Sequence, residues 1–329
     1  MGNDLRNFYM PFAAAAYSDN PNKCLTNIQK WLDGVDHNPN QTISVYRQYK
    51  IKCPSLNDIC SGYTAITKTY QNDSYGPIII AFKGPTDPDY FYANDFNYTE
   101  MVPFVGTGKV SKQFLDAFNN IWINAGMKDD ILTLKNKNPF SNFIIVGHST
   151  GGAMASLAAV TIAANRIAYA QVVGLFTFGQ PRTGDKDFAD TVTSANFWRS
   201  DRIIHNADIV SHLPSINDSN YYHHISEMWW PNNMSNRSNY IKCSKYDGED
   251  PNCSNSIDVL QLNFDDHKIY FGRKFSEYGV NGCSDLELSK NDDVKVNGKR
   301  LKASDSKSNP LRFLSSFGTV FTKEAKNHF

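Results

Sequence analysis

The sequence predicts an α/β fold with a mostly parallel central sheet and helices on both faces of that sheet. Three short apolar runs, residues 78–82, 143–146 and 172–178, stop at glycine or proline-containing turns, as buried strands do. Residues 153–167 form a longer apolar segment of helical length between the second and third runs. Strands that are apolar along their whole length and alternate with helices are typical of a parallel sheet covered on both sides.

The remaining elements follow from weaker patterns along the chain. The alanine-rich residues 13–16 predict an N-terminal helix that ends near Pro21. Residues 43–51 and 63–70 alternate in a strand-like way, which predicts two strands ahead of the first buried run. Residues 110–122 carry apolar side chains at helical spacing and predict a further helix. No internal repeat interrupts this order.

The chain divides into a folded domain at residues 1–284 and a polar C-terminal segment at residues 285–329. The first part of that segment, up to Pro310, has mixed charge and few apolar residues, which is typical of a linker. Four apolar residues beyond it share one face of a short amphipathic helix: Leu311, Leu314, Phe317 and Phe321. This helix either docks on the domain or contacts a lipid surface.

Charge and composition exclude several classes of protein. The chain of 329 residues has 33 basic and 33 acidic side chains, so its formal net charge is zero. Nucleic-acid binders and polybasic membrane-surface proteins need an excess of one sign of charge, so neither kind of partner is expected. The apolar share of 41% is typical of a globular protein. No stretch approaches the ~20 uninterrupted apolar residues of a transmembrane span.

The six cysteines indicate disulfides rather than a metal site. No two of them form a Cys-x-x-Cys pair, so their spacing is poor for structural zinc or a thioredoxin-like redox centre. We expect two short loops, Cys53–Cys60 and Cys243–Cys253, and one long link, Cys24–Cys283. The alternative is six buried thiols in a cytosolic enzyme.

Disulfides and acceptor sites for N-linked glycans together predict a secreted, extracellular protein. The Asn-x-Ser/Thr acceptors are Asn40, Asn72, Asn97, Asn217, Asn233, Asn236 and Asn252. The first residues carry no basic segment followed by an apolar one, so we expect that a secretion signal has been removed.

Residues 147–151 (GHSTG) match the G-x-S-x-G pattern of a nucleophile elbow. They follow a predicted buried strand and precede a predicted helix, which is the strand–turn–helix context that the elbow requires. Its glycines are needed because side chains there would collide with the neighbouring strand and helix. The turn presents the Ser149 hydroxyl at the carboxyl end of the sheet. It also aims the Thr150 amide, at the helix N-terminus, toward an oxyanion.

A serine hydroxyl needs a base near pH 7, and the base needs an orienting acid. In folds with this elbow the chain order is Ser, then Asp or Glu, then His. Asp208 follows the apolar residues 203–204 and can lie on a loop at a strand end. His148 is excluded as the base because the elbow points neighbouring side chains apart. The candidate bases downstream of the acid are His212, His223, His224, His267 and His328.

Four motifs, taken together and in this order, resemble the class 3 lipases, a fungal-lipase-like family of α/β-hydrolases. They are residues 146–153 (VGHSTGGA), 177–184 (TFGQPRTG), 205–214 (HNADIVSHLP) and 266–271 (DHKIYF), and the resemblance extends over roughly residues 10–285. It implies the α/β-hydrolase fold, with Ser149 as the nucleophile, Asp208 as the orienting acid and His267 as the base. It also implies a disulfide between Cys24 and Cys283.

The chain departs from the family pattern at the second oxyanion donor. In the family this donor follows an Arg-Gly pair, usually as Ser or Thr, whereas here the strand ends in Lys83-Gly84-Pro85-Thr86. Pro85 has neither a backbone N–H nor a hydroxyl, so it cannot donate. Either Thr86 donates by its amide or hydroxyl, or the oxyanion hole is reduced to Thr150.

Residues 87–104 are rich in aromatic side chains and lie where the family carries a lid. Tyr90, Phe91, Tyr92 and Phe96 on such a flap can cover the site in water and open at a lipid surface. The alternative is that they are ordinary packing of a long loop.

The sequence thus predicts a secreted serine carboxylester hydrolase, and the resemblance implies a triacylglycerol lipase that acts on acylglycerols at a lipid–water interface. Two other hypotheses remain open: a catalytically weak or silent lipase-like protein that binds lipid or protein, and an esterase for soluble esters. No metal or organic cofactor is expected, because H-E-x-x-H, C-x-x-C and a phosphate-binding glycine loop are absent from the sequence.

Overall fold

The computed structural model of the chain describes residues 4–36, 41–69, 75–86, 100–216, 220–235 and 238–284, together with two short strands at 295–296 and 299–300. Several predicted features lie outside these ranges. They are the lid residues Tyr90, Phe91, Tyr92 and Phe96, the acceptors Asn40, Asn72, Asn97, Asn217 and Asn236, the C-terminal apolar residues Leu311, Leu314, Phe317 and Phe321, and His328.

The elements are numbered here in chain order. The strands are β1 (Gln41–Cys53), β2 (Asp58–Thr69), β3 (Tyr75–Phe82), β4 (Met101–Pro103), β5 (Lys109–Ser111), β6 (Phe143–His148), β7 (Val173–Phe178), β8 (Gly184–Asp185), β9 (Arg199–His205), β10 (Tyr221–Tyr222), β11 (Glu227–Trp230), β12 (Ile241–Lys242), β13 (Ile269–Tyr270), β14 (Arg273–Lys274), β15 (Lys295–Val296) and β16 (Lys299–Arg300). The α-helices are α1 (Met10–Ala15), α2 (Pro21–Asp36), α3 (Lys112–Asn119), α4 (Met127–Lys137), α5 (Thr150–Ala164), α6 (Lys186–Ser194), α7 (Phe264–Lys268) and α8 (Phe275–Val280). Short 3-10 or π turns lie at Leu5–Tyr9, Pro54–Leu56, Asn120–Asn124, Ala170–Val172, Val210–His212, Ser254–Ser256 and Val259–Gln261.

An eight-stranded sheet forms the centre of the molecule, in the order β1-β2-β3-β6-β7-β9-β11-β12. The five strands from β3 to β11 in that order run parallel to one another, and the edge strands pair antiparallel. The predicted α/β class with a mostly parallel sheet is confirmed. Because β6, β7 and β9 are neighbours and parallel, the residues that follow them meet at one edge of the sheet.

Two hydrophobic cores cover the two faces of this sheet. Alternate residues of β3 point to opposite faces. Ile80 belongs to the core that contains Leu157 of α5, and Ile79 belongs to the core that contains Phe12 of α1. Both β3 residues are almost fully buried. Helices therefore lie on both sides of the sheet, as the uninterrupted apolar run of β3 predicts.

The helix predicted over residues 110–122 begins later than expected. Val110 lies in β5 and pairs with Gly184 in a second, four-stranded sheet. The helix starts at Lys112 because the Ser111 hydroxyl accepts a hydrogen bond from the Phe114 amide and caps it. The prediction was wrong at Val110 because its partner strand is distant in sequence.

Pro21 begins a helix rather than ending one. The first helix, α1, ends at Ala15, and α2 starts at Pro21. Proline is well tolerated at the first helical position, where its missing N–H would have no intrahelical partner. The N-terminal region is therefore two helices, of which the sequence predicted only the first.

Three disulfides join the six cysteines: Cys24–Cys283, Cys53–Cys60 and Cys243–Cys253. The long bond ties α2 to the segment after α8. The two described glycan acceptors, Asn233 and Asn252, are both exposed. Among the helices in the described ranges, none has the length and apolar character needed to cross a membrane.

Candidate active site

Ser149 lies at a sharp turn between β6 and α5. Its backbone has φ +61° and ψ −135°, a conformation that residues other than glycine rarely adopt. The Ser149 amide donates to the Phe178 carbonyl at the end of β7, at 2.9 Å, which ties the turn to the neighbouring strand. The side chain is almost fully buried, and its hydroxyl forms no hydrogen bond with any residue that the structure describes.

Asp208 and His267 form a buried pair beside this turn. The His267 Nδ1 atom lies 2.9 Å from both carboxylate oxygens of Asp208. The Tyr270 hydroxyl donates to Oδ2 of the carboxylate at 2.6 Å, and the Val210 amide donates to Oδ1 at 2.9 Å. The carboxylate therefore accepts from the ring and from two further donors, which fixes its orientation.

The same contacts keep Asp208 charged. Burial on its own raises the pKa of the Asp208 carboxyl, but the charge and hydrogen bond of His267 and the hydrogen bond of Tyr270 outweigh it. The pKa of Asp208 consequently lies below its ordinary value. Burial and the neighbouring carboxylate raise the pKa of Tyr270 far above its ordinary value, so its hydroxyl remains a donor.

Asp266 holds the helix of His267 beside the loop that carries Asp208, although the two segments are distant in sequence. Its Oδ2 atom accepts hydrogen bonds from the Asn206 side chain at 2.9 Å, the Ala207 amide at 3.1 Å and the Asn263 side chain at 2.9 Å. The first two donors belong to the loop that carries Asp208. One carboxylate thus locks the helix of His267 onto that loop.

Gly179 brings the buried pair close to the end of β7. A methyl group at this position would lie 2.5 Å from Asp208 Oδ2 and 2.8 Å from His267 Nδ1, so only glycine permits the approach. Gly179 follows Phe178, whose carbonyl accepts from the Ser149 amide. The nucleophile candidate and the Asp208–His267 pair therefore meet at the ends of adjacent parallel strands.

His148 packs against the ring of His267 and contacts its backbone. The two rings stack with centroids 4.6 Å apart, and His148 Nε2 lies 3.1 Å from the His267 carbonyl oxygen. A carbonyl only accepts, so Nε2 carries the proton and Nδ1 accepts from the Tyr17 hydroxyl at 2.8 Å. Burial, followed by the charge of His267, holds the pKa of His148 far below its ordinary value. His148 therefore serves as a neutral support.

The other described candidate bases face backbone or amide oxygens. His212 lies between the carbonyls of Asp208 and Ser254, at 2.9 and 3.1 Å. His223 contacts the Ser211 carbonyl at 2.7 Å, and a side-chain amide oxygen lies 3.3 Å from His224. Each ring is thus committed to structural hydrogen bonds.

Lowering the pH from 7 to 5 is expected to lower the free energy of unfolding. Burial lowers the pKa of four histidines: His148, His212, His223 and His224, the last to about 3. Below about pH 6.5 the unfolded chain binds protons at these rings, and the folded chain binds fewer of them. Each ring therefore costs up to about 1.4 kcal/mol of stability for each pH unit below that value, until its folded pKa is reached.

Urea unfolding at pH 7 and at pH 5 measures this effect. The variant His224→Gln removes one of the four titrating rings, so its stability should fall less steeply between the two pH values. An equal pH dependence in the wild type and the variant would contradict the assignment.

The predicted oxyanion donors differ in their surroundings. The Thr150 amide is the first of α5 and has no partner within the helix. Thr86 is exposed, and its amide donates to Oδ2 of Asp58 at 3.3 Å. Its hydroxyl accepts from the Lys83 ammonium at 3.0 Å. The amide of Thr86 is thus engaged, and its hydroxyl is the group left to donate.

Another backbone amide of this loop is engaged as well. The Lys83 amide donates to the Ser61 carbonyl at 2.9 Å. Burial raises the pKa of the Tyr17 hydroxyl, and the nearby Gly84 amide partly offsets that rise, while Pro85 has no amide N–H. The Lys83 and Thr86 amides are thus both committed to hydrogen bonds in this conformation.

Several residues that shape the site were not predicted from the sequence. Tyr17 and Tyr270 are single aromatic residues whose hydroxyls reach His148 and Asp208, and no local pattern marks them. Arg182 is almost fully buried and makes two hydrogen bonds to Glu249, at 2.8 and 2.7 Å. Its guanidinium also donates to the Pro214 carbonyl at 2.8 Å. Arg182 could have been noticed in the sequence, because it is a basic residue inside residues 177–184, one of the motifs that carry the family resemblance.

Comparison with known sequences supports the family resemblance of this chain. The family described as lipase (class 3) matches residues 79–218, which contain the elbow and Asp208. This match spans 140 of the 329 residues of the chain. The predictions of family and of a carboxylic ester hydrolase are confirmed.

Proteins similar to this chain occur in nematodes and fungi. A lipase of Caenorhabditis elegans is 26% identical over 306 residues, which cover 83% of this chain and 80% of that protein. A protein named secreted mono- and diacylglycerol lipase 1, from Fusarium solani, is 30% identical over 154 residues, covering 46% of this chain and 43% of its own length.

A solved lipase from Rhizopus microsporus var. chinensis matches the structure with a TM-score of 0.65 at 23% identity. The match covers 84% of this chain and 88% of that one. At this identity the likeness is one of fold, and it confirms the predicted α/β-hydrolase fold.

Proposed function

We propose that this chain is a secreted serine lipase that hydrolyses acylglycerols through Ser149, His267 and Asp208. The observation that carries the proposal is the buried Asp208–His267 pair, joined at 2.9 Å, at the end of the strand adjacent to the Ser149 turn. An oriented imidazole beside a strained serine turn is the arrangement that activates a hydroxyl for attack on an ester carbonyl.

In this mechanism His267 takes the Ser149 proton through Nε2 as the serine oxygen attacks the carbonyl carbon. Asp208 accepts from Nδ1 and stabilises the imidazolium that forms. The Thr150 amide and the Thr86 hydroxyl donate to the oxyanion of the tetrahedral intermediate. The imidazolium returns its proton to the leaving alcohol, and water then releases the fatty acid from the acyl-enzyme with the same base.

Secretion is supported by two kinds of observation. Three disulfides are typical of proteins that fold in an oxidising compartment. The relative from Fusarium solani is named a secreted lipase, and the mono- and diacylglycerols in its name support an acylglycerol substrate here.

A panel of acyl esters, run on the wild type beside Ser149→Ala, tests the proposal. We expect Ser149-dependent hydrolysis of acylglycerols, with a rate that rises when long-chain substrate is emulsified. Faster turnover of short soluble esters, with no gain at the oil–water interface, would instead identify an esterase for soluble substrates.

The engaged amides of Lys83 and Thr86, together with Pro85, favour a second candidate, a lipase-like protein that binds lipid or protein without catalysis. Losing one oxyanion donor lowers kcat by about 10²–10³-fold in serine hydrolases. A folded wild-type chain that neither hydrolyses any ester of the panel nor reacts with a fluorophosphonate would support this candidate over the lipase.

A further inference from the structure

The loop that follows β3 lies directly on the nucleophile candidate. A methyl group on Gly84 would be 2.7 Å from Ser149 Cβ and 3.2 Å from Ser149 Oγ. Any group that holds this loop in place therefore controls what faces the Ser149 hydroxyl. Because the Lys83 and Thr86 amides are engaged elsewhere and Pro85 has none, the Thr86 hydroxyl is the side-chain donor that the loop can offer.

One carboxylate holds both ends of this loop. Oδ2 of Asp58 lies 3.3 Å from the Thr86 amide nitrogen and 3.3 Å from the Lys83 ammonium. The two charged side chains are largely withdrawn from water, with 29% exposure for Asp58 and 12% for Lys83. An ion pair that is sheltered in this way holds its geometry better than one on an open surface.

Asp58 is itself held by a closed hairpin. It is the first residue of β2 and pairs with Cys53, the last residue of β1. The disulfide between Cys53 and Cys60 closes the same hairpin. The Asp58 carboxylate is consequently presented to the loop from a cross-linked element of the central sheet.

We propose that Asp58 and Lys83 are positioning residues of the oxyanion hole. Asp58 engages the Thr86 amide, and Lys83 donates to the Thr86 oxygen at 3.0 Å. Since an ammonium group only donates, the Thr86 oxygen accepts, and its own proton is directed to another acceptor. The nearby positive charge also strengthens the hydroxyl as a donor. This inference rests on the proposed hydrolase function, and it assigns the second oxyanion donor to a side chain.

The test is a set of variants measured by kcat and KM on one acyl ester, with thermal unfolding to show that each is folded. Thr86→Val should lower kcat by about 10²–10³-fold, and Thr86→Ser should stay near the wild type. Asp58→Asn keeps the shape of the side chain but loses its charge. It should lower kcat by about 10–100-fold with KM nearly unchanged, because the donor is misplaced while substrate binding is not.

The double variant separates positioning from general damage. If Asp58 acts through Thr86, adding Asp58→Asn to Thr86→Val should change kcat by less than about two-fold.

Lys83→Arg, which keeps the charge, should retain more activity than Lys83→Met. The control is Asp130→Asn, which breaks an ion pair of similar length, 3.1 Å to Arg47, away from the loop. It should leave kcat unchanged.

Two outcomes overturn the inference in distinguishable ways. An active wild type with unchanged kcat in Asp58→Asn, or additive effects in the double variant, overturns it and leaves the hydrolase proposal standing. A wild type without Ser149-dependent hydrolysis or fluorophosphonate labelling overturns the proposed function and this inference together.

Discussion

Replacing Ser149 by alanine is expected to lower kcat for ester hydrolysis on the order of 10⁶-fold. The mechanism has no other nucleophile at the elbow, since His148 on one side is a neutral support and Thr150 on the other begins α5. The fold should survive, because the Ser149 hydroxyl forms no hydrogen bond with any described residue and its loss leaves no described partner unsatisfied.

Ser156→Ala is the matched control for this prediction. Ser156 is a buried serine on α5, the helix that follows Ser149. Its hydroxyl donates to the Ala153 carbonyl at 2.7 Å. Its replacement should leave kcat within about two-fold of the wild type and lower stability by about 1 kcal/mol. Ester turnover by Ser149→Ala at a tenth of the wild-type rate or more would exclude Ser149 as the nucleophile.

Replacing Asp208 by asparagine is expected to lower kcat about 10⁴-fold with little change in KM. Oδ1 accepts from the Val210 amide, Oδ2 accepts from the Tyr270 hydroxyl, and both lie 2.9 Å from His267 Nδ1. Asparagine offers one acceptor oxygen and one donor NH₂ group. Its NH₂ group would face a donor, and the imidazole would be favoured in the wrong tautomer.

Asp265→Asn controls for the loss of a carboxylate in the same region. Asp265 lies on α7 two residues before His267, and its side chain is 75% exposed in a surface ion pair with Lys268. Exposed pairs of this kind contribute little to stability, so the variant should behave as the wild type. If Asp208→Asn keeps kcat within ten-fold of the wild type, Asp208 is not the orienting acid.

The central strands and the elbow were predictable because their signal is local. The run of residues 78–82 is apolar throughout, and a strand covered on both faces needs that composition. The turn at Ser149 needs glycine on either side of the nucleophile, and the sequence displays it. By contrast, Val110 appeared helical because its strand partner, Gly184, is distant in sequence.

The site was less accessible to sequence reasoning, because its contacts join separate parts of the chain. The residues alone left five histidines open as bases, and the family resemblance was needed to select His267. Tyr17, Tyr270 and Asp58 act through one atom each, and a lone tyrosine or aspartate carries no pattern. Pro85 was visible as a departure, but the engagement of the Thr86 amide by Asp58 required coordinates.

Mass spectrometry of the chain after reaction with a fluorophosphonate identifies the nucleophile directly. We expect one covalent adduct on the peptide that contains Ser149 in the folded wild type. The adduct should be absent in Ser149→Ala and form far more slowly in His267→Ala, because the hydroxyl then lacks its base. An adduct on a different residue would exclude Ser149 as the nucleophile, and equal labelling rates in the wild type and His267→Ala would exclude His267 as the base.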